Sequence, residues 1–304
     1  MTGPGPASRE AGAGAVVVGD GAVGSFVAAL IAGSGERVVL AGRPGTGTRG
    51  PAQIVVRAPD GSVRRVRVER ADGTAGLDRP AYVVLAVKMP DLAAALEACE
   101  AWPHVPAITL QNGIGAEALV AGGLPVAAVR DWRSMKWSKL LTNLVANAVP
   151  ALLDRDAAAV YADRRLFGVE RTQVREALEV MRALGLSPIR LPGADVRLLA
   201  LGFRMPAVLA HPIIRRVVGG ARGGKAPSLL LHLRGGGGPS ESPWLNGGVA
   251  RAGDAAGVPT PVNAALAALV ESAAADPSAW DRTRGRPAAL LAAINHAAIA
   301  RCDP

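Results

Sequence analysis

Ala15-Val16-Val17-Val18-Gly19-Asp20-Gly21-Ala22-Val23-Gly24 is the stretch that decides the fold. The short apolar run Ala15 to Val18, rich in β-branched residues, predicts a buried strand. Ser25 to Ser34, with Phe26, Val27, Leu30 and Ile31 along it, predicts a helix that Gly35 ends. Gly19-x-Gly21-x-x-Gly24 lies between the two. In that setting Gly19 permits the tight turn, Gly21 lets the backbone approach a pyrophosphate, and Gly24 lets the helix pack on the strand. The helix N-terminus adds N–H donors and the positive end of a dipole. Gly19, Asp20, Gly21, Ala22, Val23 and Gly24 are therefore read as a dinucleotide-binding turn.

Moving outward, Arg37 to Leu40 reads as the second strand. The residues just after this strand distinguish the two nicotinamide dinucleotides, because an NAD site usually carries an acidic residue there for the ribose 2′-hydroxyl. Here the sequence is Leu40-Ala41-Gly42-Arg43. Arg43 suits a 2′-phosphate through charge-assisted bonds, so NADP(H) is the expected cofactor. Ile54 to Val56 and Val63 to Val68 read as peripheral strands around a turn. Tyr82 to Val87 reads as a central strand, Asp91 to Cys99 as a helix capped by Asp91, and Ala107 to Leu110 as a further strand. Alternating strands and helices predict an α/β, Rossmann-type parallel sheet over residues 15–130. From residue 131 to 304 the pattern turns helical. Met135 to Leu153, Arg165 to Leu184, Asp195 to Leu201, Pro261 to Ala275 and Pro287 to Ala300 are helix candidates, and Gly219 to Gly238 reads as a flexible loop. Residues 1–14, rich in Gly, Pro and Ala, read as a disordered leader.

Composition narrows the function. The 304 residues carry 34 Lys and Arg against 25 Asp and Glu, a formal charge of +9. The basic residues are scattered, without a run of five, so the surplus is read as solubility and attraction to an anionic cofactor, with no nucleic-acid partner. Cys99 and Cys302, the two cysteines, and the four histidines have no metal-ligand spacing, and no metal is expected. No apolar run reaches membrane-spanning length, and no signal pattern opens the chain, so a cytoplasmic protein without a membrane partner is expected.

The chemistry concentrates in Trp137-Ser138-Lys139-Leu140-Leu141-Thr142-Asn143-Leu144-Val145-Ala146-Asn147. Lys139, Asn143 and Asn147 are spaced i, i+4, i+8, and on one continuous helix they share a face. Only four of the 34 basic residues are lysines: Lys88, Lys136, Lys139 and Lys225. A chain so biased toward Arg keeps Lys where a proton must move, since Arg stays charged. Reduction of a ketone leaves a developing alkoxide that needs a proton, and Lys139 suits the general acid. The asparagines suit orientation of a polar substrate without added charge.

Several fragments together resemble the ketopantoate reductase family: the glycine turn, Val84-Leu85-Ala86-Val87-Lys88, Leu110-Gln111-Asn112-Gly113-Ile114-Gly115, and Trp137-x-Lys139 with Asn143 and Asn147. So do Pro227-Ser228, Ser240-Glu241-x-x-Trp244-Leu245-Asn246-Gly247 and Gly257-Val258-Pro259-Thr260-Pro261-Val262-Asn263. The resemblance implies NADPH-dependent reduction of 2-dehydropantoate to pantoate, in pantothenate biosynthesis. It implies Lys139 as general acid and Glu241 as the second catalytic residue, binding the substrate hydroxyl. Asn112, Asn143, Asn147 and Ser228 would contact the small 2-oxo acid substrate, with Lys88 and Asn112 beside the cofactor. A homodimer is compatible with it. Two departures stand out. Only Ala116 to Lys136 separate the Asn112-Gly113 loop from Trp137, where the family carries further strands, so an abbreviated sheet is expected. Ser242-Pro243 follows Glu241 where an apolar residue and Asp are usual. Two alternatives stay open: a reductase of another small 2-oxo acid or carbonyl compound, and a non-catalytic NADP-binding protein.

Overall fold

The computed structural model describes residues 14–57, 61–111, 131–191, 194–221 and 226–302. The chain divides into two compact units, one holding the described residues 14–111 and the other 131–302. Residues 1–13 of the expected leader and the expected abbreviation of the sheet lie outside the described residues.

The first unit is built on a six-stranded sheet. Strands β1 (Ala15–Val18), β2 (Val38–Ala41), β5 (Tyr82–Leu85) and β6 (Ala107–Thr109) run parallel. β1 is buried at all four positions, as expected of a strand covered on both faces. The predicted peripheral strands are longer than expected. β3 (Gly50–Arg57) and β4 (Val63–Ala71) form an antiparallel pair, and β4 also joins the main sheet by pairing in parallel with β2. The order across the sheet is β3-β4-β2-β1-β5-β6. Helix α1 (Ala22–Gly33) begins three residues earlier than predicted, inside the glycine turn. Asp91 does not cap a helix with its side chain. A 3₁₀ turn over Met89–Asp91, opened by Pro90, leads into α2 (Leu92–Glu97), and Asp91 instead meets Arg43. The core of this unit is a small aliphatic cluster that includes Val17, Ala28, Leu40, Val68 and Val84.

Among the described residues the second unit is helical apart from a two-residue strand pair, Arg190–Leu191 with Ala194–Asp195. The predicted continuous segment Met135 to Leu153 is instead two helices, α3 (Trp132–Leu144) and α4 (Ala148–Leu153). Val145 is extended and Ala146 takes a positive φ of 52° between them. The break is held by α6 (Arg164–Ala183), which comes after the short helix α5 (Ala157–Ala162). The Glu170 carboxylate accepts the Ala146 N–H at 2.8 Å, and Gln173 Nε2 donates to the Leu144 carbonyl at 3.4 Å. Tyr161 also donates to Glu170, at 2.7 Å. Backbone groups freed by the kink are thereby satisfied inside the core, which lets a helix break where no water reaches.

Next come α7 (Val196–Arg204) and α8 (Ala207–Ala221). The stretch read as a flexible loop is not one throughout. α8 extends into it, and α9 (Ser228–Arg234) lies within it, anchored by buried Leu229, Leu230 and Leu233. Those three leucines outweigh the surrounding glycines once there is a core to receive them. α10 (Asn246–Ala256), α11 (Pro261–Ala275), α12 (Pro277–Asp281) and α13 (Pro287–Cys302) complete the unit. Among the described residues, no helix is long and apolar enough to cross a membrane.

Candidate functional site

In the first unit, a cleft of about 400 Å³ opens at the carboxyl ends of β1, β2 and β5. This is where the strand order reverses, the usual ligand position in an open parallel sheet. The three glycines behave differently there, as the motif requires. Gly19 has φ +108°, and a Cβ on it would lie 2.9 Å from the Ala86 carbonyl oxygen. A Cβ on Gly24 would lie 1.8 Å from the Gly19 oxygen, so helix and turn touch directly at this point. Gly21 has an ordinary extended backbone, and a Cβ on it would meet nothing within 4 Å. Its backbone is bare on the side of the cleft. No side chain caps the N-terminus of α1 and no acidic residue lies in its first turn. Free N–H groups, an uncapped dipole and a bare backbone are what a pyrophosphate needs, so these residues fit a dinucleotide.

Arg43 and Lys88 both line this cleft. Arg43 is 76% exposed and lies 3.4 Å from Asp91, itself 47% exposed. Such a pair contributes about 0–1 kcal/mol, so an anionic ligand can take Arg43 from it. Asp20 also lines the cleft, and its carboxylate is bound by Arg70 of β4. Gln111 is buried and donates through Nε2 to the carbonyls of Leu85 (2.8 Å) and Val87 (3.0 Å). It thereby fixes the segment leading from β5 to Lys88. Sequence reasoning alone misses Arg70 and Gln111 as site residues. Arg70 gives no sequence signal, since its proximity depends on β4 pairing with β2. Asn112, expected beside both cofactor and substrate, lies outside the described residues.

In the second unit, Lys139 is exposed on α3, and among the described residues its ammonium has no hydrogen-bond or ion-pair partner. Asn143, one turn on, is half-buried, with a buried Nδ2 that finds no partner among the described residues. These two share a helix face as predicted. Asn147 does not continue the stripe, because the helix has ended. Its Nδ2 donates to the Asn143 carbonyl at 3.0 Å, supplying the bond its own backbone would have made in an unbroken helix. Its Oδ1 accepts the Leu229 N–H at 3.2 Å and the Ser228 hydroxyl at 3.5 Å. Asn147 therefore caps α9 from outside and ties Ser228 to the end of α3. Ser228 is exposed at the start of α9, whereas Glu241 is half-buried on a separate element, just before the 3₁₀ turn Ser242–Trp244. Pro243 fits the first turn of that element without strain.

Behind this face lies a buried polar network. Asn246 donates to Gln173 Oε1 (2.8 Å) and to Asn263 Oδ1 (3.0 Å). Asn263 donates to Glu176 Oε2 at 2.7 Å, and Glu176 accepts the N–H groups of Val262 and Asn263, both at 2.9 Å. Burial pushes the Glu176 carboxyl up from its ordinary range, against the pull of these three bonds. The network joins Asn246 and Asn263, 17 residues apart, to α6. Its sequence signal is the presence of Gln173 and Glu176 among the buried apolar residues Val174, Ala177 and Val180 of α6. No group of acidic, histidine or cysteine side chains among the described residues is arranged to hold a metal.

The parallel sheet, the glycine turn at its switch point and the helical second unit define the class: Rossmann-type α/β proteins with a separate helical unit. The chain belongs to the ketopantoate reductase family. Residues 15–130 match the family described as ketopantoate reductase PanE/ApbA, and residues 131–274 match its C-terminal model. A 2-dehydropantoate 2-reductase of Pyrobaculum aerophilum is 29% identical over 157 residues, covering 52% of this chain. The match spans about half of that relative's length, 49%. A PanE/ApbA family ketopantoate reductase from Ralstonia eutropha shares the fold with a TM-score of 0.64 at 22% identity, covering 88% of this chain and 99% of that one. D-mandelate dehydrogenase, solved with NADH and anilino(oxo)acetate, shares it with a TM-score of 0.67 at 16% identity, covering 86% and 98%.

Proposed function

We propose that this chain catalyses the NADPH-dependent reduction of 2-dehydropantoate to pantoate, a step of pantothenate biosynthesis. The observation that carries the reading is the cleft around Gly21, where bare backbone and an uncapped helix N-terminus are built for a dinucleotide phosphate. Family membership and the P. aerophilum relative support the substrate, and the NADH in the D-mandelate dehydrogenase structure supports a nicotinamide cofactor. Arg43, in place of a carboxylate after β2, favours the 2′-phosphate form.

The bound dinucleotide supplies the hydride. Lys139 delivers the proton to the substrate oxygen as negative charge develops on it. It is suited to this role because no carboxylate among the described residues holds its ammonium. Asn143 offers its idle amide to the substrate, and Ser228 offers a hydroxyl whose position Asn147 fixes. Asn112 and Glu241 complete the substrate contacts, with Glu241 on the substrate hydroxyl. Lys88, held through Gln111, attends the cofactor.

The test monitors NADPH oxidation with 2-dehydropantoate beside a panel of other 2-oxo acids. Turnover on 2-dehydropantoate is expected, with Lys139→Ala slower by about 10²–10⁴-fold. A wild type no faster than Lys139→Ala would overturn the proposal. The panel answers a second reading, reduction of another 2-oxo acid, which the likeness to D-mandelate dehydrogenase favours. Preferred turnover of another acid would establish that alternative.

A further inference from the structure

The end of β2 lacks a carboxylate of its own, since Ala41 is followed by Gly42 and Arg43. An acidic group reaches the same place by another route. Asp20, in the glycine turn, lays its carboxylate against Gly42, so that a side chain on residue 42 would begin 3.0 Å from Asp20 Oδ2. Asp20 thus stands beside the position from which a strand-end acid would bond a ribose 2′-hydroxyl. Arg70 donates to that same oxygen from β4, where it pairs with Leu40. Its Nε is buried and has no partner among the described residues. Arg43 lines the same cleft, with Asp91 as its partner. The β2 end of the cleft therefore holds two acid–base pairs, not a lone cation.

We propose that Asp20 and Arg70 are a specificity-determining pair for the adenosine ribose of the cofactor, an inference that rests on reading this cleft as the NADP site. Asp20 favours a ribose with a free 2′-hydroxyl and opposes a 2′-phosphate. Arg70 offsets that charge, so that the phosphate is admitted and Arg43 can receive it. The choice between the two dinucleotides is set by these three side chains together. Both members of the pair act on the adenosine ribose, so the effect is read in cofactor affinity.

The experiment titrates the full chain with NADPH and with NADH by calorimetry, in wild type, Asp20→Asn, Asp20→Ser and Arg70→Met. Asp20→Asn keeps the shape and removes the charge. It is expected to raise the NADPH-over-NADH affinity ratio about fivefold or more, the size of one screened unit charge at a few ångströms. Arg70→Met is expected to lower the ratio by a similar factor, and both shifts should shrink at high salt. A purely structural role would move both affinities together. A ratio within twofold of wild type in both Asp20 variants overturns the pair while leaving the NADP reading intact. A wild type that binds neither dinucleotide overturns the NADP reading and the pair with it.

Discussion

Adding one methyl group at each of the three motif glycines should produce three different outcomes. Gly21→Ala places its Cβ where nothing lies within 4 Å, on a backbone of φ −67° that alanine adopts freely. The fold should lose nothing, and the stiffer unfolded chain should stabilise it by about 0.4–1 kcal/mol. The same methyl occupies the space through which a pyrophosphate approaches. NADPH should bind at least about tenfold more weakly, about 1.4 kcal/mol. Gly24→Ala does the reverse. Its Cβ would sit 1.8 Å from the Gly19 carbonyl oxygen, a backbone atom that yields only if helix and turn separate. A destabilisation of about 1–3 kcal/mol is expected, at the upper end because the clash is with main chain. Gly19→Ala combines a φ of +108° with a 2.9 Å approach to Ala86, and about 2–4 kcal/mol is expected. Urea unfolding gives the stabilities, and NADPH titration of the folded fraction gives the affinities. A Gly21→Ala variant that unfolds as easily as Gly24→Ala, or that binds NADPH as tightly as wild type, would refute the assignment of separate roles.

The second unit yields three further expected outcomes. Asn147→Ala leaves the Leu229 N–H and the Asn143 carbonyl without their side-chain partners and should cost about 1–3 kcal/mol in urea unfolding. It should also raise KM for the substrate through the displaced Ser228, and an unchanged KM would remove Asn147 from any positioning role. Lys139→Arg keeps the charge but cannot readily release a proton. It should be nearly as slow as Lys139→Ala while NADPH affinity is unchanged, and rescue by Arg would exclude proton delivery. Asp154 is desolvated by burial, but bonds from Arg284 and Arg234 more than offset this and hold its carboxyl below the ordinary range. Its folded-state value lies below the unfolded one. The stabilisation is therefore full above the ordinary carboxylate range and lost as pH falls through the folded value. Both arginines are about half exposed, so it amounts to less than about 1 kcal/mol. Asp154→Asn, which still tolerates the φ of 52° there, should flatten the acid limb of stability against pH, and an unchanged limb would refute the assignment.

By itself the sequence determined the features whose physics is local. β1, the glycine turn and α1 are contiguous; Gly24 is required by the Gly19 oxygen five residues back and Gly19 by its positive φ, while Gly21 is left bare of protein atoms. The helices expected at Arg165 to Leu184 and Pro261 to Ala275 likewise form within a residue of those spans, as α6 and α11. Lys139 and Asn143 share a face because one helical turn separates them. Tertiary structure decided the rest. The stripe from Lys139 to Asn147 ends early because Glu170 and Gln173, 24 and 29 residues away from their partners, hold a kink that propensity does not announce. The same kink turns Asn147 from a third member of the stripe into the cap of α9. Within the glycine turn, the sequence specified a backbone for phosphate. Only the pairing of β4 with β2 brought Arg70 onto Asp20, 50 residues away in the chain, and set a second charge pair beside Arg43.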